Sequence, residues 1–263
     1  MWNIIRQTML LQMKQSFARP MFRFCLFINP IMNTIFLYEE FLNSGQQNFT
    51  WFITISAGLM GLWGCICFSS IGDINRERYS GTLPLIYVAP GGFGLIIVGK
   101  VLGNTLLSLL SFVITYGMTI LLSRGFFFVA QPLYFIGAFF MTILCFLLIS
   151  VCLAYVLMLS RKTELYMNLL EIPLIFVCGF TFPIENLPYW VQRISHLIPA
   201  TWAVKMFRMS ISFGNAISES QVAEYNKCFY LLVLEMGIMT VLTVFLFRAI
   251  DRMVRQKATL EVA

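Results

Sequence analysis

Residues 131–160 read QPLYFIGAFFMTILCFLLISVCLAYVLMLS, thirty positions without an ionisable Asp, Glu, Lys, Arg or His. A helix needs about 20 mostly apolar residues, at about 1.5 Å rise each, to cross the hydrocarbon core of a bilayer, so this stretch decides the fold class. The pattern recurs on both sides of it. Residues 51–72 and 101–123 carry no charge, while 165–181 and 228–247 carry one acid each, Glu171 and Glu235. A sixth stretch, 24–38, is short and contains Asn29, Pro30 and Asn33; Arg23 and Glu39 at its ends can snorkel to the interface and lengthen it.

The whole composition agrees. Of 263 residues, 59% are hydrophobic and 11% charged, where soluble domains have roughly 45–50% and about 25%. So few charges cannot cover a soluble protein of this size, which excludes an ordinary soluble enzyme. The sequence therefore predicts one all-α integral membrane domain over residues 1–263 with six transmembrane helices. The net charge of +6 points to topology and not to nucleic acid, because the basic residues sit between apolar runs.

Their distribution sets the orientation. With the N-terminus inside, the inner connections hold thirteen basic residues: Arg6, Lys14, Arg19, Arg23, Arg76, Arg78, Lys100, Arg161, Lys162, Arg248, Arg252, Arg255 and Lys257. The outer ones hold five, Arg124, Arg193, Lys205, Arg208 and Lys227. Both termini are thus expected in the cytoplasm of a multi-pass cell-membrane protein, of the bacterial inner-membrane kind. Residues 1–20 contain no signal-peptide core. They read as an amphipathic interfacial helix with Trp2, Ile5, Met9, Met13 and Phe17 on its apolar face and Arg6, Gln7, Lys14 and Gln15 elsewhere.

Two segments are neither span nor simple loop. Residues 73–92 open with alternating charge, break at Ser80-Gly81, and restart at Thr82, an expected N-cap, as a short helix carrying Leu83, Leu85, Ile86 and Val88. Apolar residues at a cytoplasmic surface need a partner or the bilayer. Residues 179–208 are divided by Pro183, Pro188 and Pro199, with Trp190, Ile194, Leu197 and Ile198 forming an apolar face. This segment is too apolar for a free loop and too broken for a span, so short re-entrant helices before the last span are expected at the outer face.

Chemistry motifs are few. There is no Gly-x4-Gly-Lys-Ser/Thr loop, so the chain has no nucleotide site of its own. His196 is the only histidine, and neither His-Glu-x-x-His nor Gly-x-Ser-x-Gly occurs. Six of the seven cysteines lie in apolar runs and behave as small hydrophobes; Cys65-Ile-Cys67 lacks metal-site spacing, so no metal is expected. Asn48-Phe49-Thr50 fits a short glycosylation sequon. Glu171 and Glu235 each cost about 2.5–3.5 kcal/mol at the centre of a span. Either they line a pathway for a cationic or amphipathic substrate, or they fix helix packing through a neighbour such as Asn168. Gly58, Gly61 and Gly64 permit close helix approach, at a subunit interface or within the chain.

The sequence Arg76-Glu77-Arg78-Tyr79-Ser80-Gly81-Thr82-Leu83, with Ala89-Pro90 and Gly99-Lys100, resembles the cytoplasmic motif of ABC type-2 exporter permeases. Phe182-Pro183, Leu187-Pro188, Trp190, Ile198-Pro199 and Arg208 resemble that family's signature before its last helix, so the likeness runs over essentially the whole chain. The resemblance implies a permease that pairs with a second, identical or homologous permease and with cytosolic ATPase subunits. These bind ATP and magnesium; no cofactor is implied in this chain. It implies ATPase coupling through residues 76–88 (Arg76, Glu77, Arg78, Gly81, Thr82, Leu83, Leu85 and Val88) and an outer gate at Pro183, Pro188, Trp190, Pro199 and Arg208. Pro84 stands where the family usually has an acid, and Ala89 where serine is frequent. The form of residues 197–201 resembles exporters of drugs, lipids or peptides more than of polysaccharides. A non-transporting membrane assembly or sensor subunit using the same docking surface is the alternative.

Overall fold

The computed structural model describes residues 2–43, 50–89, 92–123, 129–158, 163–213 and 218–257. Among them all regular structure is helical. α1 (Trp2–Ala18) ends at Arg19, whose extended backbone is what a following proline demands. Pro20 opens α2 (Pro20–Arg23), which continues through a π turn (Phe24–Ile28) into α3 (Asn29–Asn43). Pro30 has no N–H to offer the α-helical ladder, and the π turn just before it keeps the helix continuous. α4 (Thr50–Trp63) runs through a second π turn (Gly64–Phe68) into α5 (Ser69–Tyr79). The two π turns lie side by side, with the Cys65 thiol 3.7 Å from the Cys25 carbonyl.

Short α6 (Leu83–Val88) follows, then the long helices α7 (Phe93–Ser123) and α8 (Pro132–Met158). α9 (Thr163–Val177), a 3-10 turn (Ile184–Asn186), α10 (Tyr189–Ser195) and α11 (Pro199–Ser212) lead to α12 (Glu219–Lys257). Among the described residues five helices are long and apolar enough to cross a membrane: Pro20–Leu42, Thr50–Tyr79, Phe93–Ser123, Pro132–Leu157 and Glu219–Ile250. The chain is a multi-pass membrane protein. The sixth expected span corresponds to α9, which has 15 residues and turns away at Gly179.

The core gathers around α4. Trp63 meets Phe146 of α8 edge-on at 5.4 Å and Phe180 at 5.8 Å, and those two rings are 5.5 Å apart. This aromatic triad ties the turn after α9 to two spans. The Gly58 and Gly61 stripe packs inside the chain, against Phe112 and Ser111 of α7, where any Cβ would collide. α7 answers with a buried row of small polar residues, Ser108, Ser111, Thr115 and Thr119, which allows the helices to approach closely.

α1 packs against a neighbouring helix. It lies along α7, seated on Gly99 and Gly103; a Cβ at 103 would be 2.8 Å from the Met9 carbonyl, and one at 99 would be 3.0 Å from Thr8 Cβ. Its deepest residues are Gln12 and Ser16, both buried; of the expected apolar face Ile5, Met9 and Met13 are half-buried, while Trp2 and Phe17 are exposed. Where the surroundings are lipid, apolar residues point outward and polar groups find their partners within the protein.

Candidate functional site: two polar centres at opposite ends of the spans

At the Tyr79 end, three elements converge on Asp73. Arg19 forms an ion pair with it, Gln12 Nε2 donates to it, and Asn104 Nδ2 donates to its Oδ2 at 3.0 Å. Asn104 also donates to Ser70 at 3.1 Å and accepts from Ser16 at 2.7 Å. Arg19 Nη2 closes the ring by donating to Ser16 Oγ at 2.7 Å. The network joins α1, α5 and α7 and pairs the deep charge of Asp73, while Gln12 Oε1 is buried with no hydrogen-bond partner among the described residues. The positions were not singled out in the sequence. Their signal was there: Gln12, Ser16 and Arg19 recur at helical spacing, facing an acid on α5.

One turn further along α5, Glu77 pairs with Lys100 of α7. α5 then ends in a Schellman turn: Gly81 N–H bonds the Arg78 carbonyl at 3.0 Å and Thr82 N–H bonds the Glu77 carbonyl at 3.0 Å, with Gly81 at φ +67. Thr82 takes the N-cap position of α6, as expected, but its hydroxyl turns back to donate to the Glu77 carbonyl at 3.2 Å and caps nothing. Beyond the turn Leu85 is 73% exposed. Between α1, α6 and α7 lies a groove of about 690 Å³, walled by Ile4, Leu11, Gln15, Leu85 and Ile86 with Glu77 and Lys100 at its floor. Of the expected coupling residues, Glu77, Thr82 and Leu85 line it. Arg76 and Arg78 are half-buried and Gly81 is exposed beside it. The side chains of Leu83 and Val88, like Pro90, Arg161, Lys162, Asn168 and the sequon residues Asn48 and Phe49, lie outside the described residues.

At the Thr50 end, the C-terminus of α9 is closed by a second Schellman turn. Phe180 N–H bonds the Ile175 carbonyl at 3.0 Å and Gly179 N–H bonds that of Phe176 at 3.1 Å, with Gly179 at φ +74. Ser195 Oγ donates to the Val177 carbonyl at 2.6 Å. Arg208 Nη2 donates to the Phe180 carbonyl at 2.8 Å and to Ser56 Oγ at 3.2 Å, while its guanidinium lies 4.5 Å over the Phe52 ring. Burial pushes the Arg208 pKa down to about 10, against the field of Glu185, so the group stays charged at neutral pH. Burial would also lower Lys205, but its hydrogen bond to Glu224 and the neighbouring acids hold it above its ordinary value.

The expected gate residues divide here. Arg208 and Pro183 line a shared cavity of about 270 Å³, and Pro199, buried, starts α11. Pro188 takes the N-cap position of α10, and Trp190 points outward, 68% exposed. Trp202 Nε1 donates to Glu235 Oε1 at 2.9 Å and to the His196 carbonyl at 3.2 Å, with the His196 ring stacked 4.9 Å from the indole. Glu235 is therefore a packing contact between α11 and α12, though its Oε2 is buried without a partner among the described residues. Glu171 is half-buried on α9, and none of the described residues hydrogen bonds to it. The seven cysteines are free thiols, and the described residues contain no cluster that could hold a metal.

No curated protein matches the chain. A family profile does: the one describing ABC-2 family transporter proteins matches residues 6–250, from within α1 to Ile250 of α12. The match therefore takes in both polar centres and all five long apolar helices, and the chain belongs to the ABC-2 family of transporter proteins, as a membrane-embedded permease of an ABC transporter.

Proposed function

We propose that the chain is the permease subunit of an ATP-driven exporter, a single domain over residues 1–263 that moves a hydrophobic or amphipathic substrate, a drug, lipid or peptide, out of the cytoplasm by alternating access. Cytosolic ATPase subunits holding ATP and magnesium supply the energy, and a second permease, identical or homologous, completes the pathway. Residues 73–92 form the coupling region and 179–208 the outer re-entrant segment. α9 serves as a short sixth span, and both termini lie in the cytoplasm of a cell membrane.

The groove between α1, α6 and α7 carries this reading. It presents exposed Leu85 beside a charged floor of Glu77 and Lys100, the mixture of apolar anchor and polar rim that a protein partner recognises. The buried network behind it ties the groove to three helices, so force applied there reaches the spans. For the re-entrant segment, the support is depth: Phe180 packs on Trp63, about 20 Å along the α4 axis from Thr50 at about 1.5 Å per residue. For six spans, the support is the basic-residue asymmetry, which places the Tyr79 end inside.

The test is reconstitution with the partner ATPase. Gly81→Trp and Leu85→Asp should leave basal ATP hydrolysis intact in the ATPase and abolish export. The Gly81 position faces open space within the chain but has a left-handed backbone, φ +67, which a tryptophan strains; exposed Leu85 carries no such strain, so Leu85→Asp is the decisive variant of the two. Full coupling of turnover to export in both variants would sink the docking assignment. Glu171→Gln tests the pathway: unchanged export and substrate preference would remove Glu171 from it.

A further inference from the structure

Arg208 carries a charge into the Thr50 end of the molecule, where Glu185, an acid whose field reaches it, makes no ion pair with it. Its Nη2 donates only to neutral oxygens, those of Phe180 and Ser56, and its Nε is buried with no hydrogen-bond partner among the described residues. It forms no ion pair among the described residues. Glu185 is engaged by Lys205 at 3.7 Å, and Lys205 is held in turn by Glu224 at 3.2 Å. Segments 44–49, 124–128 and 214–217 contain no Asp or Glu, so none of them can supply a carboxylate. The carbonyl end of α9 offsets part of the charge, but a helix terminus amounts to only about half an elementary charge. A buried cation left partly uncompensated is costly, and such positions persist where a counter-charge arrives from outside the chain.

The place for that counter-charge is the cavity beside the guanidinium. It has about 270 Å³ of space and is walled by Trp51, Phe52, Met209 and Glu185, the last paired with Lys205, which lies one helical turn from Arg208. Sites for whole drug-sized ligands run about 300–1,000 Å³, so this one suits an acidic end or a headgroup. The aromatic walls fit an apolar neighbour next to the charge. We propose that the cavity binds a single anionic group, a phosphate ester or carboxylate, paired with Arg208 and seated against Trp51 and Phe52. A phospholipid headgroup and a free anion share this chemistry, and the site operates whichever way the transporter moves its cargo.

The test uses the full chain purified in dodecyl maltoside without phosphate. Inorganic phosphate is titrated by calorimetry, and retention of phosphatidylglycerol is compared with that of diacylglycerol by native mass spectrometry. Saturable phosphate binding identifies the source as a free anion. Selective retention of phosphatidylglycerol without phosphate binding identifies a headgroup. Arg208→Gln should weaken whichever binding is seen by about 10-fold to 100-fold, the effect of losing a charge-assisted partner. Met209→Trp should abolish it by filling the cavity while leaving the Arg208 hydrogen bonds in place, and it decides the matter if Arg208→Gln does not fold. Absence of both kinds of binding in the wild type, or binding that survives at full strength in either folded variant, overturns the proposal.

Discussion

Arg19 and Asp73 form an ion pair across the joint between α1 and α5, with the Asp73 side chain 1% and the Arg19 side chain 21% exposed. Gln12 and Asn104 bond to the same carboxylate and Ser16 bonds to Asn104, so the pair is the centre of a small polar core where α1, α5 and α7 meet. Removing Asp73 strands an arginine and two amides at once. Asp73→Ala should lower stability by about 3 kcal/mol, since breaking one side of a buried pair leaves the other uncompensated. Arg19→Met should cost less when introduced after Asp73→Leu than in the wild type. Thermal unfolding of the four proteins of that cycle checks it, and additive effects would show that the two side chains do not act together.

The seat of α1 on α7 makes a second prediction. Gly103→Leu drives a side chain into the Met9 carbonyl and Gln12, and overpacking of this kind costs about 1–3 kcal/mol. The readout is local. A Ser16→Cys thiol, buried in the parent, should resist a water-soluble maleimide and become reactive once Gly103→Leu lifts the helix. Equal protection in both backgrounds would mean that α1 is held elsewhere.

Gly179 is required twice over. Its φ of +74 suits glycine, and a Cβ there would lie 2.7 Å from Ile184 Cγ1. Gly179→Ala should therefore cost about 1–2 kcal/mol from the left-handed backbone alone, plus a steric part. Adding Ile184→Ala to it should recover the steric part and not the backbone part. Melting temperatures in detergent separate the two; complete recovery would show that the backbone conformation carries no cost.

The Trp202 and Glu235 contact predicts an asymmetry between two substitutions. Glu235→Gln keeps an oxygen for the indole N–H and removes a carboxylate from an apolar span, so stability should hold or rise. Glu235→Leu leaves the Trp202 donor only the His196 carbonyl and should lower stability by about 1 kcal/mol. If export fails in Glu235→Gln although its melting temperature is unchanged, Glu235 serves the pathway and not packing alone.

Much of the architecture is legible in the linear order of residues because lipid imposes a simple rule. Runs such as 131–160 become helices, since a helix satisfies its own backbone without water and a continuous apolar run of this length does not fit the short alternating strands of a closed barrel. The short α6 between Gly81 and Pro90 and the broken segment from Pro183 to Pro199 are equally readable, because Gly and Pro act locally. Burial direction is not local. The helical wheel of α1 points Trp2 and Phe17 inward if the outside is water; it turns Gln12 and Ser16 inward once the outside is lipid and α7 offers Asn104. Likewise the spacing of Gly58, Gly61 and Gly64 announces a close approach without naming the neighbour, which is α7 for Gly58 and Gly61 and Asn29 of α3 for Gly64.

The sequence by itself determined that this protein crosses a membrane repeatedly, where its helices break, and that it resembles ABC type-2 permeases, because hydrophobic length, proline and glycine exert their effects within a few residues. Only the tertiary structure decided which charges meet. Arg19 finds Asp73 54 positions away, and Arg208 finds Ser56 152 positions away, while Arg208 forms no ion pair among the described residues. Those distances are spanned by packing, and a pairing made through packing is not written in the spacing of either partner.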